Sequence, residues 1–370
     1  RDTYAGGNIN LNNALVKNIV NRQNVDPDAY RLGDIYLRAK NIANSKGYFG
    51  EDENTKNFIL LGDPSMRLAI PKLNRVFTDS IKSSTDPADT IKALQKVILY
   101  GHVDDENGNA KTDANGTVAI TIFDKPITWT TIDNHGYGLQ SFSTQEQAII
   151  KGNASITNGT FSFSFMTPKD INYKVGSGKI SYYAQFGNDD MNGYDTTVKI
   201  GGMHDTLIDD NQGPLISLYM NDTNFRNGGI TDINPILLVL LTDPCGINAT
   251  GAGIGHDITA ILDQNPDNKF ILNNYYETDL NSYQSGRIRY TLYNLSPGRH
   301  TLSVTVWDGL NNSAREKIEF VVTSGEQLIL QNFQNYPNPM SDYTNFIFDH
   351  NMPDEDMKVT IQIYDLSGTM

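Results

Sequence analysis

A single cysteine, Cys245, stands in 370 residues, so no disulfide can close within the chain, and cysteine usage does not reveal the redox compartment. Long apolar stretches are missing too. The longest purely aliphatic run, Ile236 to Leu241, is six residues, whereas a helix that spans a membrane needs about 20. No cluster of Lys and Arg interrupts a balance of 29 basic against 43 acidic residues, a formal charge of −14. Phosphate backbones are held by basic stripes, so nucleic acid is not an expected partner. The six histidines are scattered without a pair at metal-ligand spacing, which argues against zinc. An initiator Met and a signal peptide are also absent, and the chain opens at Arg1 in sequence that reads as domain interior, so a segment of a longer protein is expected.

What is present is the composition of an ordered, β-rich chain: 10% aromatic residues, 19% charged residues and 31 glycines. The length leads us to expect two to four domains. Up to Pro71 the apolar pattern is helical. Leu11, Leu15 and Ile19 recur every four residues, and Leu32, Ile35, Tyr36, Ala39, Ile42 and Ala43 trace a second helical face. Asp26-Pro27 reads as a helix start and Gly47 as a stop. Phe58 to Leu61, ended by Gly62-Asp63-Pro64, reads as a strand leaving a sheet through a turn. Two helices and one strand cannot bury all their apolar faces, so residues 1–72 are expected to be the end of an α/β domain whose other strands lie upstream.

Beyond Pro71 the period changes to two. Phe161, Phe163 and Phe165 alternate with serines, and Leu302, Val304 and Val306 alternate with Thr and Ser, as in half-buried strands. Turn clusters such as Glu106-Asn107-Gly108-Asn109, Ala114-Asn115-Gly116, Asn158-Gly159 and Asn227-Gly228-Gly229 separate them. Two β-sandwiches are expected, at 73–205 and an immunoglobulin-like one at 206–325, divided by the acidic stretch His204 to Asp210 that leads to Gly213-Pro214. Trp129 and Trp307 are expected in the core rather than as carbohydrate platforms.

Three groups of residues invite chemical readings. Cys245 and His256 share a Gly-rich loop and form a thiol-imidazole pair on paper, against the simpler reading of a structural Cys in a turn. Asp189, Asp190, Asn192 and Asp195, and likewise Asp104 to Asn107 beside Gly108, offer hard oxygen ligands at short spacing for calcium, without the EF-hand pattern. Solvated hairpin tips are the other reading. No cofactor besides calcium is expected.

At the end of the chain, Asn335-Tyr336-Pro337-Asn338-Pro339 is followed by Thr344 to Phe348 and by Val359 to Gly368, which includes Ile363-Tyr364-Asp365-Leu366-Ser367-Gly368. The prolines cannot donate to a ladder, which places the motif ahead of the first strand of a small sheet, with Val359, Ile361 and Ile363 on one face of a later strand. Tyr336, Pro337, Asn338, Pro339, Ile363, Tyr364, Asp365, Leu366 and Gly368 resemble the C-terminal sorting domain of type IX secretion cargo. The resemblance implies an incomplete domain at 326–370. At the front, Tyr4 to Asn12, Gly33-Asp34, and Asn57 to Leu68 with Gly62, Asp63 and Pro64 resemble the end of the gingipain-type cysteine peptidase domain.

Together the two resemblances imply a surface sortase of the gingipain family. Such a protein removes cargo sorting domains and passes the cargo to anionic lipopolysaccharide through a Cys-bound intermediate, in partnership with outer-membrane type IX components. The family's His and Cys belong upstream of the matched region, and no residue before Pro71 is either type, so no catalytic residue carries over. The alternative is an adhesin or secreted peptidase with β modules, exported by the same route. Residues 73–325 expressed alone are expected to give a folded, catalytically silent β protein by circular dichroism and peptidase assay. Failure to fold would show the boundaries to be misplaced.

Overall fold

The structure, a computed structural model, describes residues 5–20, 31–45, 56–68, 74–83, 90–134, 136, 138–205, 210–251, 255–323, 330–350 and 357–364. The Asp26-Pro27 start, the Gly47 stop, and Asp365, Leu366 and Gly368 lie outside these residues. The chain divides into two units, Arg1–Pro71 and Lys72–Met370.

In the first unit, helices α1 (Ala5–Val20) and α2 (Leu32–Ser45) pack through Leu11, Ala14, Ala39 and Ala43, with Leu15 beside them. Alanines at the contact let the two helix backbones approach closely. The buried stripe of α2 is Ile35, Ala39 and Ala43, while Ile42 is exposed. Among the described residues the expected strand Phe58 to Leu61 has no ladder partner. A strand exists only through ladder partners, and here the Phe58 carbonyl accepts from side chains instead, the Tyr36 hydroxyl at 2.5 Å and Lys40 Nζ at 2.8 Å.

The second unit is mainly β, as the alternation implied. Its first part contains β1 (Val76–Ser83), β2 (Ile91–Ala93), β3 (Lys96–Val103), β4 (Gly116–Phe123), β5 (Ile127–Thr130), β6 (Ser141–Thr144), β7 (Ala148–Thr157), β8 (Thr160–Met166), β9 (Gly176–Ser177), β10 (Lys179–Phe186), β11 (Asp189–Asp195) and β12 (Lys199–Met203). Seven strands form a sheet in the order β1-β3-β8-β7-β4-β10-β11, faced by the small sheet β2-β12-β9, while β5 and β6 make a separate ribbon. Asn158 and Gly159, both with positive φ, form the two-residue turn that joins β7 to β8.

The seven-stranded sheet curls until its outer strands meet. The Arg75 amide donates to the Asn192 carbonyl at 2.7 Å, and a Cβ on Gly193 would lie 1.8 Å from the Val76 carbonyl oxygen. Phe161, Phe163, Phe165 and Tyr182 fill the interior with Val97, Leu99 and Ile120.

The second part has β13 (Leu215–Met220), β14 (Ile230–Thr231), β15 (Ile236–Thr242), β16 (Thr259–Leu262), β17 (Lys269–Ile271), β18 (Tyr276–Thr278), β19 (Ser285–Thr291), β20 (Gly298–Trp307) and β21 (Ser313–Val322). Sheets β13-β15-β19-β18 and β14-β21-β20-β16-β17 enclose Val239, Leu241, Ile288, Leu302, Val304 and Phe320. The aliphatic run 236–241 lies in strand β15, a central strand whose Leu237, Val239 and Leu241 face the core while Ile236, Leu238 and Leu240 are buried or half-buried on the other face, which is why it does not alternate.

Two bonded regions join the sandwiches. Asn281, at φ 61°, donates its amide to the Asn153 carbonyl at 2.8 Å, while its side chain accepts from the Ser155 amide and donates to the Ser155 hydroxyl. Asp170 of the first sandwich binds His256 Nδ1 and Asn311 Nδ2 of the second. In the tail, β22 (Leu330–Tyr336) pairs with β23 (Asn345–His350) as a hairpin.

The interior of the first sandwich depends on a missing side chain: a Cβ on Gly152 would stand 2.0 Å from Cζ of Phe163. Phe163→Ala is expected to cost about 3–5 kcal/mol through the cavity it leaves. Gly152→Ala should also lower the urea midpoint, and Phe163→Leu in the same chain should recover part of that loss by vacating the space.

Candidate functional site

The Gly62-Asp63-Pro64 segment acts as a cap. Asp63 Oδ1 accepts from the amide and hydroxyl of Ser65 at 2.8 and 2.7 Å, which holds its carboxyl below the usual range, the hydroxyl bond contributing most. The turn then offers the carbonyls of Pro64 and Met66 to the amides of Gly33 and Leu32 at 2.9 and 2.8 Å. These are first-turn amides of α2, which have no partner within their own helix. Gly33 permits the approach, since a Cβ there would meet Pro64 Cβ at 2.8 Å. Gly62, Asp63 and Pro64 thus serve helix capping in this stretch.

The tail motif lies elsewhere than the sequence implied. Tyr336 closes β22, and Pro337, Asn338 and Pro339 run through the connection to β23 rather than ahead of the first strand. Thr344 Oγ1 donates to the Pro337 carbonyl at 2.9 Å, tying the two ends of that connection. Val359 to Tyr364 has no strand pairing among the described residues. Val359, Ile361, Ile363 and Tyr364 are exposed there, so a ladder partner and the burial it would bring are both lacking.

The acidic groups offered for calcium are engaged within the protein. Asp189, Asp190, Asn192 and Asp195 lie along β11, where successive side chains point to opposite faces. Asp190 accepts from the Tyr183 hydroxyl, Asn192 from the Asn74 amide, and Asp195 from the Thr197 amide and hydroxyl. At the other tip Asp105 Oδ1 accepts from the amides of Asn107 and Asn109, bonds that lower its pKa, Asn109 first.

Titratable groups do converge beside the Asp170 contact. Asp210, Asp243 and Cys245 bring their ligand-type atoms within 4.8 Å of one another. The turn after β15 places Cys245, whose amide donates to Asp243 Oδ1 at 2.7 Å and whose thiol donates to Asp210 Oδ2 at 3.3 Å. Asp308, at the end of β20, accepts from the amides of Leu310 and Asn312 and from Asn312 Nδ2. Asn312 Nδ2 also donates to the Asp210 carbonyl at 2.7 Å. Ile149, Ile150, Met166 and Pro168 of the first sandwich line one small pocket together with Cys245 and Tyr283 of the second.

Burial and three carboxylates together decide the chemistry of this cluster. Burial, and then the adjacent Asp210, push the Cys245 thiol up to about 12, so it is protonated at neutral pH and is a poor nucleophile. Burial, reinforced by Asp308 and Asp210, raises Asp243 to about 6, and burial likewise raises Asp308. His256 is bound to Asp170, and its ring packs 4.3 Å from that of Trp307. Cys245 and His256 are therefore each committed to a carboxylate, and no described hydrogen bond joins them.

Sequence reasoning missed Asp170, whose partners His256 and Asn311 lie far along the chain, and it missed that Asp243 and Asp308, bonded locally, are brought together with Asp210. The repeated pattern of an Asp closing a turn two residues on was the available signal. It also misplaced Trp129, which is 52% exposed rather than in the core: among the described residues the ribbon β5–β6 pairs with no other strand.

Residues 1–69 match the family model for peptidase family C25. The chain is similar to dimeric latent PorU from Porphyromonas gingivalis, with 30% identity over 94% of this chain and 33% of that one, at a TM-score of 0.43. It therefore spans about a third of the length of PorU. It is also similar to the fibronectin(III)-like modules of Clostridium thermocellum CbhA (10% identity, 68% of this chain, 96% of that one, TM-score 0.20). Red sea bream transglutaminase is a third (11% identity, 75% and 34%, TM-score 0.20). No curated protein matches by sequence.

The raised Asp243 makes stability depend on pH. The folded state keeps a proton up to about pH 6 that the unfolded chain releases near 3.8, so this contribution is full below about pH 4 and lost as pH rises through 6. Asp243→Asn keeps an acceptor for the Cys245 amide and is expected to flatten that fall. It should gain on the order of 2 kcal/mol over wild type at pH 7 relative to pH 4, read from urea midpoints at the two pH values.

Proposed function

From a chain that is PorU- and gingipain-like, with residues 1–69 matching peptidase family C25, we propose that it is the non-catalytic rear part of a cell-surface type IX secretion sortase. The parent is a gingipain-family cysteine peptidase that removes cargo C-terminal signals and attaches the cargo to surface lipopolysaccharide. Its partners are outer-membrane type IX components and the sorting domains of cargo. The C25 match over 1–69 carries this reading, because that stretch contains neither Cys nor His. A thiolate-imidazole pair is what a cysteine peptidase requires, so the matched stretch can support the reactive groups but not supply them.

Cys245 does not fill the gap. It is protonated, bonded to Asp210 and lined by carboxylates that oppose formation of a thiolate. The β-sandwiches are read as buttressing and docking modules.

The tail favours a second reading strongly enough to keep it. Tyr336-Pro337-Asn338-Pro339 resembles the sorting domain of cargo itself, as an adhesin or secreted peptidase exported by the same route would carry. The two readings differ in the fate of the tail. Mass spectrometry of the native protein from the cell surface is expected to find the tail retained past Pro339. A C-terminus at about 323–327 would transfer the protein to the cargo class.

A further inference from the structure

Asparagine is a thermally labile residue, and most so when glycine follows it. The glycine amide nitrogen, once deprotonated, attacks the asparagine side-chain carbonyl carbon, and no Cβ on the glycine stands in the way. The sequence contains such pairs at Asn107, Asn115, Asn158, Asn192 and Asn227. The attack needs a carboxamide free to turn toward the main chain and a glycine whose backbone is not held in a ladder or packed turn. Those two requirements separate the sites.

Four of the pairs are held by the fold. Asn115 Oδ1 accepts from the Asn158 amide at 3.1 Å, Asn115 Nδ2 donates to the Asp113 carbonyl at 3.1 Å, and Gly116 lies in β4, paired with Ile156. The Gly159 amide donates to the Ala114 carbonyl at 2.9 Å, and a Cβ on Gly159 would stand 2.3 Å from the Lys111 carbonyl oxygen, so the turn at Asn158 is packed. Asn192 Oδ1 accepts from the Asn74 amide at 2.9 Å, and Gly193 pairs with Tyr182 in the ladder of β10 and β11. Asn227 Oδ1 accepts from the Glu319 amide at 2.7 Å, while the Gly228 amide donates to the Glu319 carbonyl at 2.7 Å.

Asn107 differs on both counts. It is exposed at the tip of the loop closed by the bridge between Asp104 and Ala110. No described hydrogen bond engages its carboxamide. The Gly108 amide donates to the Asp105 carbonyl at 3.2 Å, a longer bond than those of Gly159 and Gly228. A Cβ on Gly108 would meet nothing within 4 Å, so the peptide there is free to turn.

We propose that Asn107-Gly108 is a site of spontaneous covalent modification. The Gly108 nitrogen gives up its proton and bonds to Asn107 Cγ, the Cγ–Nδ2 bond breaks, and ammonia leaves with the proton. Water then adds to either carbonyl of the cyclic imide. One opening leaves an aspartyl residue at position 107, and the other leaves an isoaspartyl residue whose main chain is lengthened by a methylene. Water is the co-reactant, and no electrons change hands.

The bonding of the loop amplifies the change. Asp105 Oδ1 accepts from the amides of Asn107 and Asn109, and the Asp105 amide donates to the Asn109 carbonyl at 2.7 Å. Main chain added between positions 107 and 109 disrupts that set. Either product also adds a negative charge beside Asp104, Asp105 and Glu106. The site lies on the first β-sandwich and stands apart from the peptidase reading.

The test holds the full chain in warm, mildly alkaline buffer and follows it by peptide mass spectrometry. Isotopically heavy water marks the hydrolytic step, and an isoaspartyl methyltransferase scores the isoaspartyl product. In the folded chain Asn107 is expected to convert at least about fivefold ahead of each other pair, the factor that one net hydrogen bond is worth. In urea that unfolds the chain this lead should vanish. Asn107→Ser should abolish the early product and leave the other pairs and the unfolding midpoint unchanged. Conversion that begins at another pair, an Asn107 that stays intact, or a lead as large in urea as in the folded chain would each overturn the proposal.

Discussion

The bonded seam between the two β-sandwiches is the constraint on which the larger unit depends. At one end Asn281 adopts a left-handed backbone and satisfies three polar groups of the β7 edge. At the other, Asp170 draws in His256 and Asn311. With both ends held, the turn after β15 and the turn after β20 are pressed against Met166 and Pro168. That enclosure is why Asp243 and Asp308 are buried, and why their acidity is weakened.

The same enclosure explains the character of the one cysteine. A reactive thiol is stabilised as thiolate by positive charge or a helix N-terminus, and Cys245 has three carboxylates near it instead. A neutral S–H fits there because it can donate to Asp210. The cluster is held by donors from the turns, chiefly the amides of Cys245, Leu310 and Asn312 and the Asn312 side chain. This is the chemistry of a structural junction, and it agrees with reading the β modules as supports.

Asx and serine turns recur as the local device throughout. Asp63, Asp105, Asp195, Asp222, Asp232 and Asp308 each accept from an amide two residues later. Asp105 and Asp195, two of the acidic residues that suggest cation binding in the sequence, therefore fold the loops that hold them. At Gly62-Asp63-Pro64 the device gains a longer reach, because the turn it shapes also completes the first turn of α2.

Local signals were enough to read the helices α1 and α2, the period-two strands around Phe163 and Val304, and the Asn158-Gly159 turn, because each depends on neighbours close in the chain. The turn residues of the acidic tips were visible too, though not that their carboxylates were already spent. Where the answer depended on a partner far away, the sequence was silent. It did not tell whether Phe58 to Leu61 or Val359 to Ile363 finds a ladder, that Trp129 faces outward, or that Asp170 meets His256 across 86 residues. Periodicity reports which face of an element is apolar, but only the tertiary arrangement decides whether a second layer exists to cover that face, and which charges share one low-dielectric site.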